Sequence, residues 1–163
     1  MDIIEKKNIL KKFPLLSTID DKDLEALASM VLEEEFNEGD IIIKENDIDT
    51  TMYLLIEGTV DVIKTTIYNE EFVCATLKDE MHIIFGEMAL IDKDKRSATV
   101  IAKTNCKTFS LTSDDFNTFC EEYPKGAVKL LKLMNKNIIR NLRSENENLK
   151  LIYQALIEEI EYN

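Results

Sequence analysis

The spacing of apolar residues changes twice along the chain. Through residues 1–35 it is helical, and Leu24, Leu27, Ala28, Val31 and Leu32 share one face at intervals of three and four. Ahead of them, Ser17-Thr18-Ile19-Asp20-Asp21-Lys22-Asp23 supplies capping residues and early acidic side chains, which mark a helix start. Phe13-Pro14-Leu15-Leu16 is a short apolar knot before that start. From 36 to 112 the pattern becomes short runs rich in β-branched and aromatic residues, at 40–44, 52–56, 59–63, 71–77, 97–102 and 107–111. Turn signals separate them, most clearly at Asn37-Glu38-Gly39-Asp40, Glu45-Asn46-Asp47 and Glu57-Gly58-Thr59. Many short strands without strand–helix alternation predict a sandwich or a rolled barrel, not a Rossmann fold.

Residues 113–163 return to helical spacing. Ser113-Asp114-Asp115-Phe116 opens one helix, and Tyr123-Pro124 closes it because the residue before proline avoids the helical region. Beyond Pro124, Val128, Leu131, Met134, Ile138, Leu142, Leu149, Ile152, Leu156 and Ile160 form a seam of the kind a helical partner covers. The polar patch Arg143-Ser144-Glu145-Asn146-Glu147-Asn148 interrupts it. One helix, a kinked helix and two helices all remain open there.

The richest chemistry lies in residues 85–100, which read Phe-Gly-Glu-Met-Ala-Leu-Ile-Asp-Lys-Asp-Lys-Arg-Ser-Ala-Thr-Val. Gly86, with no Cβ, lets a ligand approach the backbone closely. Glu87-Met88-Ala89-Leu90 are helix formers, and the first N–H groups of a turn there have no intrahelical partner. Such donors favour an anion. Arg96 adds a permanent positive charge with a fork that fits phosphate oxygens. Glu87 would repel a phosphate, so its chemistry is to accept a hydrogen bond from a hydroxyl such as a ribose 2′-OH. An anion site and a hydroxyl acceptor this close together describe a ribose phosphate.

This stretch resembles the phosphate-binding cassette of the cyclic nucleotide-binding domain family, which includes bacterial catabolite activators, regulatory subunits of cyclic-AMP-dependent kinase and cyclic-nucleotide-gated channels. The Glu87-to-Arg96 spacing matches, and Gly39-Asp40, Gly58 and Tyr53-Leu54-Leu55-Ile56-Glu57-Gly58-Thr59-Val60 fit the family pattern over roughly residues 13–140. The resemblance implies a mainly β fold: a double-stranded β-helix (jelly-roll) sandwich with N-terminal helices and a long C-terminal helix. It divides the chain into an N-terminal helical segment (1–35), a β-roll (36–112) and C-terminal lid and dimerisation helices (113–163). It implies that Glu87 binds the ribose 2′-OH and Arg96 the cyclic phosphate. Ser97 would add a hydroxyl there, and the backbone N–H groups of Gly86, Glu87, Met88, Ala89 and Ala98 would complete the anion site. Asn141 falls about where the long helix touches the base, and Asn137 lies one turn before it. For Asn137, Asn141 and Ser144 a solvated helix face is the simpler alternative. Two residues depart from the family, with Asn46 and His82 standing where glycine is usual.

Composition narrows the picture. The chain has 163 residues, 45% of them apolar, enough for one domain with a core. Its formal net charge is −12. That argues against DNA as a partner, with 20 basic residues, read as scattered, against 32 acidic ones. The one basic cluster noted, Lys93-Lys95-Arg96, is broken by Asp94. Cys74, Cys106 and Cys120 form no C-x-x-C pair and suit a reducing cytoplasm. A single histidine, His82, excludes a cupin-type metal site, and no nucleophile–base pattern surrounds it, so neither a metal nor catalysis is expected. No apolar run reaches the roughly 20 residues of a membrane span, and the start carries no signal-peptide pattern.

The expectation is a cytoplasmic regulatory module that binds a 3′,5′-cyclic nucleotide, cyclic AMP ahead of cyclic GMP, and relays binding to a C-terminal helix that holds a homodimer. Two alternatives stand beside it. One is the effector part of a catabolite-activator-type regulator without its DNA-binding domain. The other is a dimerising scaffold whose site no longer binds nucleotide.

Overall fold

The strand-forming runs pair into two four-stranded antiparallel sheets that face one another as a jelly roll. In chain order the strands are β1 (Leu32–Phe36), β2 (Ile41–Ile43), β3 (Met52–Glu57), β4 (Thr59–Thr65), β5 (Glu71–Lys78), β6 (Ile84–Phe85), β7 (Thr99–Ala102) and β8 (Cys106–Leu111). One sheet has the order β1-β8-β3-β6 and the other β2-β7-β4-β5. Helices α1 (Ile3–Leu10) and α2 (Asp21–Met30) precede the roll, and α3 (Ser113–Glu122) and α4 (Pro124–Tyr162) follow it. This computed structural model describes residues 1–14, 16–92 and 94–162, without the side chains of Leu133, Asn137 and Tyr162. Leu15 of the apolar knot and Lys93 of the basic cluster therefore lie outside the described residues.

β3 shows why an unbroken apolar run forms a strand here. Met52 and Leu54 face the helices, in a core with Phe109, Phe119 and Met134, while Tyr53 and Leu55 face the interior of the roll with Val60 and Phe85. A strand buried on both faces has no polar positions to alternate. Within α2, Leu24, Leu27 and Ala28 are buried as their spacing predicts. Leu32 departs from that face. It is 58% exposed and begins β1, which pairs with β8 from Leu32–Ser110 to Phe36–Cys106. Strand structure thus starts four residues earlier than the pattern suggested.

α4 is one helix of 39 residues, on the order of 58 Å long. The polar patch at 143–148 does not interrupt it, because it contains neither glycine nor proline. The first turns are anchored. Ala127, Leu130 and Met134 are buried, and Gly126 lies so close to α2 and α3 that a Cβ there would meet Asp23 at 2.8 Å and Phe119 at 3.0 Å. An ion pair of 2.8 Å joins Lys129 to Asp20 at the start of α2. Past Met134 the helix leaves the core and runs across the mouth of the roll.

Candidate functional site

The segment between β6 and β7 folds as its residue types dictate. Gly86 takes φ +74°, and a 3-10 turn, Glu87–Leu90, starts directly after it. A side chain at Gly86 would be crowded as well as strained: its Cβ would stand 2.9 Å from Arg96 Nη1, 3.0 Å from Ile43 Cδ1 and 3.1 Å from the Thr51 carbonyl. Glu87 is buried at 7% exposure, while Met88 faces solvent. Arg96 is pinned to the β2–β3 loop by its own backbone, which donates to the Asp47 carbonyl at 2.9 Å and accepts from the Asn46 N–H at 2.9 Å.

The Arg96 side chain is held inside the protein, at 5% exposure for the whole residue. Nη1 donates to the Gly86 carbonyl at 3.1 Å, and Nη2 donates to Asp49 Oδ2 and to the Thr51 carbonyl, both at 2.5 Å. Such a cation is tolerated in a buried position only when paired and hydrogen-bonded. Burial pushes the Asp49 carboxyl up, but hydrogen bonds from Arg96 and Thr51 outweigh it and hold the group below its ordinary value. Arg96 Nε has no partner, the one buried side-chain nitrogen of which this is true among the described residues. The fork is therefore engaged within the chain through both Nη atoms, and Nε lies buried without a hydrogen-bond partner.

A cavity of about 410 Å³ opens over this segment, within the size range of small-molecule sites. Gly86, Glu87, Met88, Ala89, Arg96, Ser97 and Ala98 all line it, and Asn141 reaches it from α4. Eight of the nine residues singled out in the sequence thus meet at one place. The ninth, Asn137, lies on α4 with its side chain outside the description. A second groove, of about 660 Å³, runs along the far half of α4. It is walled by that helix alone, and one wall does not enclose a ligand.

The sequence matches the cyclic nucleotide-binding domain family over residues 33–123, more than half the chain. It belongs to that family. Over 118 residues the chain is 35% identical to the mouse (Mus musculus) potassium/sodium hyperpolarization-activated cyclic nucleotide-gated channel 2, an alignment covering 72% of this chain and 13% of the channel. The N-terminal domain of a transcriptional regulator from Streptomyces coelicolor superposes with a TM-score of 0.70 at 27% identity, covering 86% of this chain and 94% of that one. The regulatory domain of Toxoplasma gondii PKA, solved with cAMP, shares the fold with a TM-score of 0.73 at 23% identity, covering 85% of this chain and 50% of that one. These are regulatory domains and channels, and the chain spans only a small part of the channel's length.

As a cyclic nucleotide-binding domain, the chain departs from the family at positions whose geometry the structure explains. Asn46 at φ +70° and His82 at φ +46° both adopt the left-handed conformation for which glycine is best suited. Asparagine and histidine are among the residues that tolerate it best. His82 is absent from the lining of the cavity and packs edge-on against Phe13 at 5.6 Å. The sequence reading missed Asp49 and Thr51, which hold Arg96 from 47 and 45 residues away. It also missed the far wall, where Val62, Lys64, Cys74 and Ala75 line the cavity together with Glu145 and Asn148 of α4, while Ser144, for which a solvated helix face was the simpler alternative, lines it too. Among the described residues no group of three or more His, Cys, Asp or Glu could hold a metal ion, and no helix is long and apolar enough to cross a membrane.

Proposed function

We propose that the chain is a regulatory module that binds a 3′,5′-cyclic nucleotide, cyclic AMP ahead of cyclic GMP, between residues 85–98 and α4. The observation that carries this is Arg96, a buried cation with an unpartnered Nε, set beside a 3-10 turn in the wall of a cavity. The cyclic phosphate takes the guanidinium of Arg96, the Ser97 hydroxyl, the Ala98 N–H and the N–H groups at Gly86 to Ala89. Glu87 accepts from the ribose 2′-OH. The base lies toward α4, where an asparagine amide such as that of Asn141 offers one donor and one acceptor. That pair matches the N1 acceptor and N6 donor of adenine.

The relay follows from the walls of the cavity. The 3-10 turn packs against β3 and α3, and α4 supplies the opposite side. A ligand that touches both walls favours the arrangement in which they close, by no more than its differential affinity for the two arrangements. The moved element carries Leu142, Leu149, Ile152, Leu156 and Ile160, each at least 50% exposed, as a seam that a second α4 covers in a homodimer. The likeness to the Streptomyces regulator favours a second reading, in which the chain is the effector part of a transcription regulator.

A thermal-shift series with cyclic AMP, cyclic GMP and 5′-AMP tests the binding step. Ligand at a hundredfold excess over Kd stabilises by about 2.7 kcal/mol, or roughly 5–11 °C for a chain of this size. A shift from a cyclic nucleotide and none from 5′-AMP is expected. No shift from either cyclic nucleotide would favour the scaffold alternative.

A further inference from the structure

The basic residues of α4 are not scattered. Lys125, Lys129, Lys132, Lys136, Arg140 and Arg143 follow at intervals of four, three, four, four and three, with no Asp or Glu between Pro124 and Ser144. At 3.6 residues per turn they fall within an arc of about 80° over a rise of about 27 Å. The arc lies opposite the face that buries Ala127 and Met134, so it points away from the core. In a chain of net charge −12 this is a local concentration of positive charge on one straight surface. Lys129 is paired with Asp20. Lys132, Lys136 and Arg143 are exposed and form no salt bridge among the described residues.

We propose that this outer face of α4 docks an acidic segment of a partner protein, a narrow helix or extended stretch whose carboxylates repeat at the spacing of these cations. Charge complementarity sets the sign of the occupant, and the borders of the stripe set its width. Asp20 bounds it near Lys129, and Glu147, paired with Lys150 at 3.6 Å, bounds it beyond Arg143. A DNA duplex or an anionic bilayer presents phosphates on a broad front and would meet those carboxylates and the net negative body behind them. A single acidic segment lying along Lys132 to Arg143, beyond the carboxylate of Asp20 at Lys129, meets a stretch of helix that carries no Asp or Glu of its own. The same helix carries Asn141 and Ser144 to the cavity, so a partner on the outer face and a ligand within bear on one element. The docking itself rests on the charges of α4 and not on nucleotide binding.

Fluorescence anisotropy of the full chain with a labelled helical peptide of repeated Glu-Ala-Ala-Glu units tests this without nucleotide present. Saturable binding is expected, weakening at least about tenfold between roughly 0.1 M and 0.5 M salt as the charges are screened. The combined Lys132→Glu, Lys136→Glu, Arg143→Glu variant should lose at least about tenfold in affinity. The combined Lys132→Gln, Lys136→Gln, Arg143→Gln variant should lose less while keeping the parent's melting temperature and helicity, which separates lost charge from lost fold. The proposal is overturned if the parent does not bind the peptide, or if both variants bind it as the parent does. It is also overturned if a labelled DNA duplex, or vesicles of phosphatidylserine in phosphatidylcholine, bind more tightly than the peptide.

Discussion

Gly86→Ala perturbs the cassette by a single methyl group. At φ +74° an alanine sits in the left-handed region, which costs about 1–2 kcal/mol. The new Cβ would stand 2.9 Å from Arg96 Nη1, 3.0 Å from Ile43 Cδ1 and 3.1 Å from the Thr51 carbonyl. Two of these neighbours are side-chain ends that can move, so the crowding cost belongs near the low end of the roughly 1–3 kcal/mol of overpacking. The sum, about 2–3 kcal/mol, lowers the melting temperature by roughly 4–12 °C. The neighbour displaced first is Arg96, whose Nη1 bond to the Gly86 carbonyl fixes its fork. Cyclic nucleotide affinity should therefore fall by more than about tenfold, beyond what lost stability explains. Thermal melts and calorimetric titrations on the parent and variant measure both quantities. A melt within about 1 °C of the parent, with affinity within about twofold, would refute the crowding argument and the role of Arg96 together.

Glu87→Gln should weaken binding and blunt the preference for ribose over 2′-deoxyribose cyclic nucleotides, and equal binding of both sugars by the parent would remove Glu87 as a ribose ligand. Leu142→Glu or Leu149→Glu places a charge on the exposed seam of α4 and should convert a dimer to a monomer in sedimentation. A parent already monomeric at tens of micromolar would exclude the seam as a self-association surface. Acid should destabilise the chain late. Lys129 holds Asp20 below the ordinary 3.8, Lys11 and Lys7 hold Asp21 down at about 2, and Asp49 lies below its ordinary value against Arg96. Folded values below unfolded ones give stability that is complete above the unfolded value and is lost as pH falls through the folded ones. Denaturant midpoints should be flat from about pH 7 to pH 5 and fall below about pH 4, and a loss already complete at pH 5 would place the controlling group elsewhere.

The cassette was legible because its chemistry is contiguous. A turn glycine, a run of helix formers and Arg96 lie within eleven residues, and each carries a local reason for its place. What holds Arg96 was not legible, because Asp49 and Thr51 reach it through pairing of distant strands and nothing in their own neighbourhood announces a buried partner. β1 was hidden for a different reason. Leu32-Glu33-Glu34-Glu35-Phe36 carries three carboxylates in a row, and its pairing with β8 overrides that composition. The seam of α4 was visible as helical spacing, but the polar patch left its continuity undecided until the helix was seen to pass through it. The basic stripe was present in the same residues and was masked by the net charge, which says nothing about where charges lie on a helix.

The central claim is that a buried arginine in this cavity binds the phosphate of a cyclic nucleotide. Isothermal titration of the parent and of Arg96→Ala with cyclic AMP and cyclic GMP tests it most directly. The account predicts one saturable site per chain in the parent and an affinity loss of about 2–5 kcal/mol in the variant, the cost of removing one partner of a desolvated charge pair. A parent that shows no saturable binding to either nucleotide, or a variant within about twofold of the parent, would contradict it.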